Sequence, residues 1–251
     1  MADIVLINLP LSTPVKDIFR VKNSMPPLGL LYIGGYLKAK GVNCKLIDFP
    51  VKNIGKQEFI SLIKRESPKI IGISTYNEAW QSQKVISKLI RKEFPEIIIA
   101  AGGAFATFCY MDMFENNIVD YVIRGEGERS FYEMYLFVTG ANRDPKTISG
   151  LVYRNSTTLK VNSMQRIKDL DSLPYPDRDL IDRSEYTFSA TLSTARGCPG
   201  ECIFCSSKAF WGKNTYFRSA DSIVNEVMYL YNKYNENVFY FADDTFTLNK
   251  K

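Results

Sequence analysis

Over its first 140 residues the chain repeats one pattern, a short apolar run followed by a longer stretch with apolar positions at helical spacing. The runs predict strands over Ile4–Leu9, Asn43–Phe49, Lys69–Thr75, Ile97–Ala101 and Tyr121–Arg124. All but the second are almost unbroken in Ile, Val, Leu and Ala, as expected when both faces of a parallel sheet are covered. Between and after them, periodic segments predict helices near Leu28–Lys40, Lys56–Glu66, Trp80–Phe94, Thr107–Asn116 and Gly127–Val138. The first ends in Lys38-Ala39-Lys40-Gly41, cations in the last turn and then a glycine cap. Five such units in succession predict an α/β fold: an open, doubly wound, five-stranded parallel sheet over residues 1–140, in strand order 2-1-3-4-5.

The pattern changes over 141–187. Gly150–Arg154 and Leu159–Asn162 flank Asn155-Ser156-Thr157-Thr158 and read as a small hairpin. Leu173-Pro174-Tyr175-Pro176-Asp177 then forbids regular helix or sheet, so this stretch is expected to be an ordered connector. Residues 188–251 resume with a strand over Phe188–Ala195, a helix over Ser222–Tyr234 and a strand over Asn237–Ala242. That is one βαβ unit, the start of a domain, and it leaves an unpaired sheet edge. The expectation is a fragment or a truncated reading frame that stops at Asn249-Lys250-Lys251.

Composition narrows the classes. With 45% hydrophobic and 24% charged residues the chain matches an ordinary globular protein. The net charge of +5 is spread without dense Lys/Arg blocks, so no nucleic-acid partner is expected. The longest charge-free stretch, Ile97–Met111, is too short to span a bilayer and contains Gly102-Gly103. An odd number of cysteines, the chain's length and no export signal argue against a secreted disulfide framework and point to a reducing cytoplasm.

Three of those cysteines lie close together. Arg196-Gly197-Cys198-Pro199-Gly200-Glu201-Cys202-Ile203-Phe204-Cys205 carries a C-x3-C-x2-C triplet directly after an apolar, β-prone run. A structural zinc site wants four closed ligands, and here there is no histidine at all, while Cys44 and Cys109 lie far off in sequence. Clustered thiolates are the ligands of iron–sulfur clusters. A four-iron cubane held by three thiolates, Cys198, Cys202 and Cys205, keeps one iron open to a further ligand. Gly197 and Gly200 allow a tight backbone path around such a site. Cys44 and Cys109 read as plain buried thiols.

Taken together, these landmarks resemble the cobalamin-binding radical S-adenosylmethionine family. They are Pro26-Pro27-Leu28-Gly29-Leu30-Leu31-Tyr32, Gly72-Ile73-Ser74, Gly102-Gly103 with Thr107, Arg124-Gly125-Glu126-Gly127-Glu128, the proline connector, Arg196-Gly197-Cys198 and Phe241-Ala242-Asp243-Asp244-Thr245. The resemblance implies a Rossmann or flavodoxin-like cobalamin domain (1–140), a connector with a hairpin (141–187) and the first part of a partial (β/α) barrel (188–251). Phe105 stands where the family often has histidine, and a chain without histidine cannot ligate cobalt through one.

The resemblance further implies that Cys198, Cys202 and Cys205 hold a [4Fe–4S] cluster whose open iron chelates S-adenosylmethionine, giving a 5′-deoxyadenosyl radical on reduction. It places Phe204 against the adenine, unless that ring is a core aromatic, and Gly197 beside the cluster. Asp243 and Asp244 bond the cofactor or serve as a turn or helix cap. Arg196 offsets the cluster charge or caps a strand, Arg218 meets the cofactor carboxylate or leads into a helix, and Phe210 and Trp211 pack beneath the cysteine loop.

Ligands of open α/β sheets bind at the carboxyl ends of the strands. That points to Leu9–Thr13, Ser74–Glu78, Gly102–Thr107 and Arg124–Gly127, with Ser74, Thr75, Gly102, Gly103 and Thr107 as cobalamin candidates. Glu126 and Glu128 bond corrin amides or cap the next helix. Met25-Pro26-Pro27 lines the cleft or simply starts a helix. The implied activity is methyl transfer to an unactivated carbon or phosphinate centre on a small, natural-product-like substrate, with an electron donor such as flavodoxin or ferredoxin. Ring-forming or rearranging chemistry and a non-catalytic cobalamin module are the alternatives. A methylthiotransferase fits less well, because two scattered cysteines cannot supply a second triad.

Overall fold

The five apolar runs form the parallel core of one sheet. A computed structural model describes residues 1–10, 25–52 and 54–249. Strands β1 (Ile4–Asn8), β2 (Cys44–Asp48), β3 (Ile70–Ser74), β4 (Ile98–Gly102) and β5 (Tyr121–Ile123) lie in the expected order 2-1-3-4-5. Their register aligns Asp48, Asn8, Ser74 and Gly102 in one row at the carboxyl edge. Alternate residues feed two cores. Val5, Ile7, Ile71, Ile73 and Ile99 face one, and Ile4, Leu6 and Ile70 the other.

Helices α1 (Leu28–Ala39), α2 (Lys56–Glu66) and α3 (Trp80–Glu93) follow the first three strands. The single helix expected over Thr107–Asn116 is instead two short ones, α4 (Gly103–Phe108) and α5 (Tyr110–Glu115). Cys109 breaks them apart at φ −114° and ψ 32°. Helix α6 (Glu128–Val138) completes the layers and packs Phe131 and Met134 into the second core.

Among the described residues the sheet has seven strands, not five. The hairpin assigned to the connector, β6 (Leu151–Asn155) and β7 (Thr158–Val161), adds antiparallel to β5. Leu151 and Val152 are fully buried, so this hairpin closes the sheet edge rather than bridging domains. Past it, the proline stretch forms three short 3-10 turns over Leu170–Ser172, Arg178–Leu180 and Arg183–Glu185.

The strand expected over Phe188–Ala195 is divided into β8 (Thr191–Leu192) and β9 (Ala195–Arg196). The Asp243 carboxylate causes the break, accepting from the amides of Thr194 (2.7 Å) and Ala195 (2.9 Å), which are thereby withdrawn from any ladder. A short helix α7 (Ser207–Trp211) and strand β10 (Tyr216–Phe217) follow, β10 antiparallel to β9. Helix α8 (Ala220–Tyr234) then leads to β11 (Tyr240–Phe241), which pairs parallel with β8. Ser219 caps α8 by accepting from Ser222 N–H at 3.1 Å. Among the described residues no helix is long and apolar enough to cross a membrane.

Candidate functional site

The carboxyl edge of the sheet faces the cysteine loop across a cavity of about 450 Å³. Ser74, Gly102 and Gly103 line it from the sheet side, and Gly197, Ser207 and Asp244 from the other. Its walls are largely apolar, with Leu30, Ile33, Ile123 and Phe131 among them. Gly103 sits at φ +91°, and a Cβ there would stand 2.9 Å from the Thr75 carbonyl, so only glycine allows the sheet edge to turn this sharply. Gly197, at φ +109°, is equally constrained: its Cβ would meet the Asn214 carbonyl at 2.8 Å.

Ser74, Gly102, Gly103, Gly197 and Asp244 thus line one space. Thr75 and Thr107 do not reach it. Thr75 is fully buried and bonds Gln83, while Thr107 donates to the Gly103 carbonyl (2.8 Å) and accepts from Gly125 N–H (3.0 Å). Both hold the loops that shape the cavity. Asp243 is likewise turned away, its oxygens engaged by Ser193, Thr194 and Ala195, whereas Asp244 accepts from Ser207 Oγ at 2.8 Å. Of the stretch Leu9–Thr13, residues 11–13 lie outside the described residues.

The cysteine loop follows β9. Cys202 and Cys205 are exposed and Cys198 half-buried. Gly200 N–H points at Cys198 Sγ (3.4 Å) and Ser207 N–H at Cys205 Sγ (3.5 Å). Amides that donate to the sulfurs tune the potential of an iron–sulfur site. Gly200 lies between two of the sulfurs: a Cβ there would stand 3.3 Å from Cys198 Sγ and 3.9 Å from Cys202 Sγ. The three thiols do not converge, however, and among the described residues no three Cys, His, Asp or Glu side chains are gathered closely enough for a metal ion. The loop has neither helix nor strand between Cys198 and Ser206 and is held by a turn in which Cys205 N–H donates to the Cys202 carbonyl at 3.1 Å. Phe204 is 88% and Ile203 102% exposed, so neither is a core residue. The donor set itself, three accessible thiols with amide donors and a glycine between them, suits a cubane cluster.

Residues 16–134 match the B12 binding domain family. An uncharacterized methyltransferase of Pyrococcus horikoshii is 31% identical over 255 residues, covering 99% of this chain and 54% of its own. An anaerobic magnesium-protoporphyrin IX monomethyl ester cyclase of Synechocystis is 26% identical, over 91% of this chain and 47% of its own. The chain is thus similar to the B12 binding domain family over residues 16–134 and to these relatives along nearly its whole length. It spans about half the length of these curated relatives. The fold matches that of the cobalamin-dependent S-adenosylmethionine radical enzyme OxsB with aqua-cobalamin bound, at a TM-score of 0.78 and 18% identity, over 98% of this chain and 34% of that one.

Between the B12-binding domain and the cysteine-bearing unit lies a buried ionic layer that corrects several sequence expectations. Arg196 neither faces the thiols nor caps a strand. It donates to Glu126 (2.8 Å) and Glu128 (2.6 Å) and stacks on Tyr32, its centre 4.9 Å from the ring. Glu126 and Glu128 therefore anchor an arginine instead of capping α6, whose N-cap Gly127 has no side-chain partner. Burial works against the Arg196 charge, but Glu128 and then Glu126 hold its pKa above the ordinary value. Burial, and then Glu226, push Tyr32 up to about 12.

Arg218 turns to the head of α8, bonding Ser222, the Ser193 carbonyl and Glu226. Phe210 and Trp211 pack on each other edge to face at 4.7 Å, and Phe210 reaches Phe108 of the B12-binding domain at 6.3 Å. Cys44 is buried and pushed up to about 12 by that burial, whereas Cys109 is only half-buried.

Proposed function

We propose that this chain carries the cofactor-binding portion of a cobalamin-dependent radical S-adenosylmethionine enzyme that transfers a methyl group to an unactivated centre of a small molecule. The observation that carries the proposal is the single cavity lined on one side by the carboxyl edge of the B12-binding sheet and on the other by the stem of the cysteine loop. When bound, a [4Fe–4S] cluster supplies reductive cleavage of S-adenosylmethionine to a 5′-deoxyadenosyl radical, and methylcobalamin supplies the methyl group.

In this reading Cys198, Cys202 and Cys205 are the cluster ligands. Phe204, exposed beside the last of them, is available to cover an adenine, and Gly197 and Asp244 face the S-adenosylmethionine side. Ser74, Gly102 and Gly103 receive the corrin, their small side chains leaving the backbone open to it. The apolar wall of Leu30, Ile33, Ile123 and Phe131 keeps water away from the reacting groups. Thr75, Thr107 and Asp243 hold the cavity's loops in shape. A flavodoxin or ferredoxin in the cytoplasm would supply the electron. Ring formation is the second reading, favoured by the similarity to the cyclase of Synechocystis.

The test is anaerobic iron–sulfide reconstitution with hydroxocobalamin. The expected result is about four irons per chain, a retained corrin spectrum and release of 5′-deoxyadenosine under reduction. Cys202→Ala should lose the iron and the nucleoside while keeping the corrin. Protein that takes up neither iron nor corrin would overturn the proposal. Corrin binding without iron would leave only a cobalamin carrier.

A further inference from the structure

The cysteine loop leaves the fold at Arg196 and returns at Trp211–Asn214, and one side chain outside the loop grips both stems. Arg166, in the segment between the sheet hairpin and the proline connector, donates through Nη2 to the Arg196 carbonyl at 3.0 Å. Through Nη1 it donates to the Trp211 carbonyl and, at 3.4 Å, to that of Asn214. Its Nε donates to Glu126 Oε2 at 3.1 Å, an oxygen that also accepts from Ile167 N–H at 2.7 Å.

The guanidinium lies between the rings of Trp211 and Tyr216, 4.8 and 5.0 Å from their centres. Glu126 follows the last parallel strand of the B12-binding domain, and its other oxygen takes Arg196 Nη1. One planar fork therefore spans three places at once: the carboxyl edge of the sheet, the strand that leads into Cys198, and the end of the helix that follows Cys205. A charge alone does not explain the arrangement, since three of the four acceptors are neutral carbonyls, two reached from Nη1 and one from Nη2. A lysine ammonium at this position would have the charge and the stem, but not the flat, divergent donors.

We infer that Arg166 is a positioning residue that sets how the cysteine loop is presented to the B12-binding domain, by clamping both loop stems to Glu126. The inference rests on the cofactor reading proposed above as far as the purpose of the clamp goes; the clamp itself belongs to the protein alone. Because residues 198–206 have neither helix nor strand, their pose is inherited from the stems. Loss of the clamp should free the loop while leaving the sheet, the corrin side of the cavity and the cysteines intact.

The decisive variant is Arg166→Lys in the full chain, with Glu126→Gln as a second, independent cut in the same clamp. In metal-free protein, hydrogen–deuterium exchange should rise by about tenfold over residues 198–214, with Ile70–Ser74 unchanged. After reconstitution, both variants should retain iron and the corrin spectrum. The electron paramagnetic resonance signal of the reduced cluster should broaden into more than one component, and its response to S-adenosylmethionine should weaken. 5′-Deoxyadenosine release should fall by about tenfold or more, as expected when reacting groups lose their alignment.

A merely structural arginine would lower the melting temperature and leave the resonance signal of the surviving folded protein unchanged. That outcome, or unchanged exchange over 198–214 in folded Arg166→Lys, overturns the inference. If the parent protein takes up no iron, the cofactor reading fails, and the exchange measurement still decides whether the clamp exists.

Discussion

Arg196 shows how far local sequence misleads about a single side chain. It sits two positions before Cys198, where the sequence offers it either the charge of a cluster or the end of a strand. The fold instead buries it between two carboxylates that lie some seventy positions earlier. Such an ion pair costs desolvation on both sides, so its net worth is modest, but stranding one partner is expensive. Glu126 would keep Arg166 if Arg196 were lost; Glu128 would keep nothing comparable, at 4% exposure. Arg196→Met should therefore destabilise the fold by about 3–5 kcal/mol, read from the urea midpoint, and Glu128→Gln in the same chain should recover part of it. A loss under about 1 kcal/mol, the range of exposed pairs, would mean that water reaches this layer. Thr75, Thr107 and Asp243 teach the same lesson in reverse. Their types and positions suit ligand binding, yet each is occupied by backbone or a neighbouring side chain.

Helices and strands were legible where periodicity is strong and neighbours are local. Helix α2 matches its expected limits, and β1 to β5 differ from theirs by a residue or two. The elements that departed are those whose geometry is set from a distance: the hairpin recruited to the sheet, and the long strand broken by Asp243. Helix α1 carries a further feature of this kind. A Cβ on Gly35 would stand 2.2 Å from the Tyr175 carbonyl, and one on Gly34 would stand 2.3 Å from Leu180 Cδ1. These two glycines let the proline connector lie directly on the helix, where Asp177 N–H donates to the Leu31 carbonyl at 2.9 Å. Gly35→Ala should improve helix propensity by about 1 kcal/mol, yet the clash with backbone should outweigh it. The expected net loss is about 1–3 kcal/mol, with faster proteolysis at the connector. A stabilised Gly35→Ala protein would show that the connector does not dock there.

The B12-binding domain and the cysteine-bearing unit are joined by more than the ionic layer around Tyr32. Tyr186 donates to the buried Asp48, which also accepts from Asn8 at 2.9 Å. On the outer side, Asp179 gathers Lys38 of α1 together with Lys233 and Tyr234 of α8, the closest contact being Tyr234 Oη at 2.8 Å. Burial opposes the Asp179 charge, but Tyr234, Lys233 and Lys38 together bring it down to about 2. The folded value lies below the unfolded one, so this carboxylate contributes stability above about pH 4. That contribution is lost as pH falls from about 4 to 2. The attachment of α8 should therefore loosen over that window. Asp179→Asn should be less stable than the parent at pH 6 and nearly equal to it at pH 2, measured by thermal unfolding across pH. A constant difference at all pH values would assign the effect to packing. Half-exposed groups are screened by solvent, so the difference should be small and should shrink further with salt.

The sequence by itself determined the strands and helices of the α/β core, the glycine-rich sheet edge and the spacing of the three thiols. Each rests on a periodicity of 2 or 3.6 or on a spacing within a few residues, and a chain carries those patterns locally. Only the tertiary structure decided that the hairpin extends the sheet, that Asp243 divides a strand, and that Arg166 and Glu126 clasp the cysteine loop. Those outcomes depend on polar groups far apart in sequence that, once buried, must find partners. Which partners they meet is settled by packing, because no local pattern encodes a contact across forty or seventy residues.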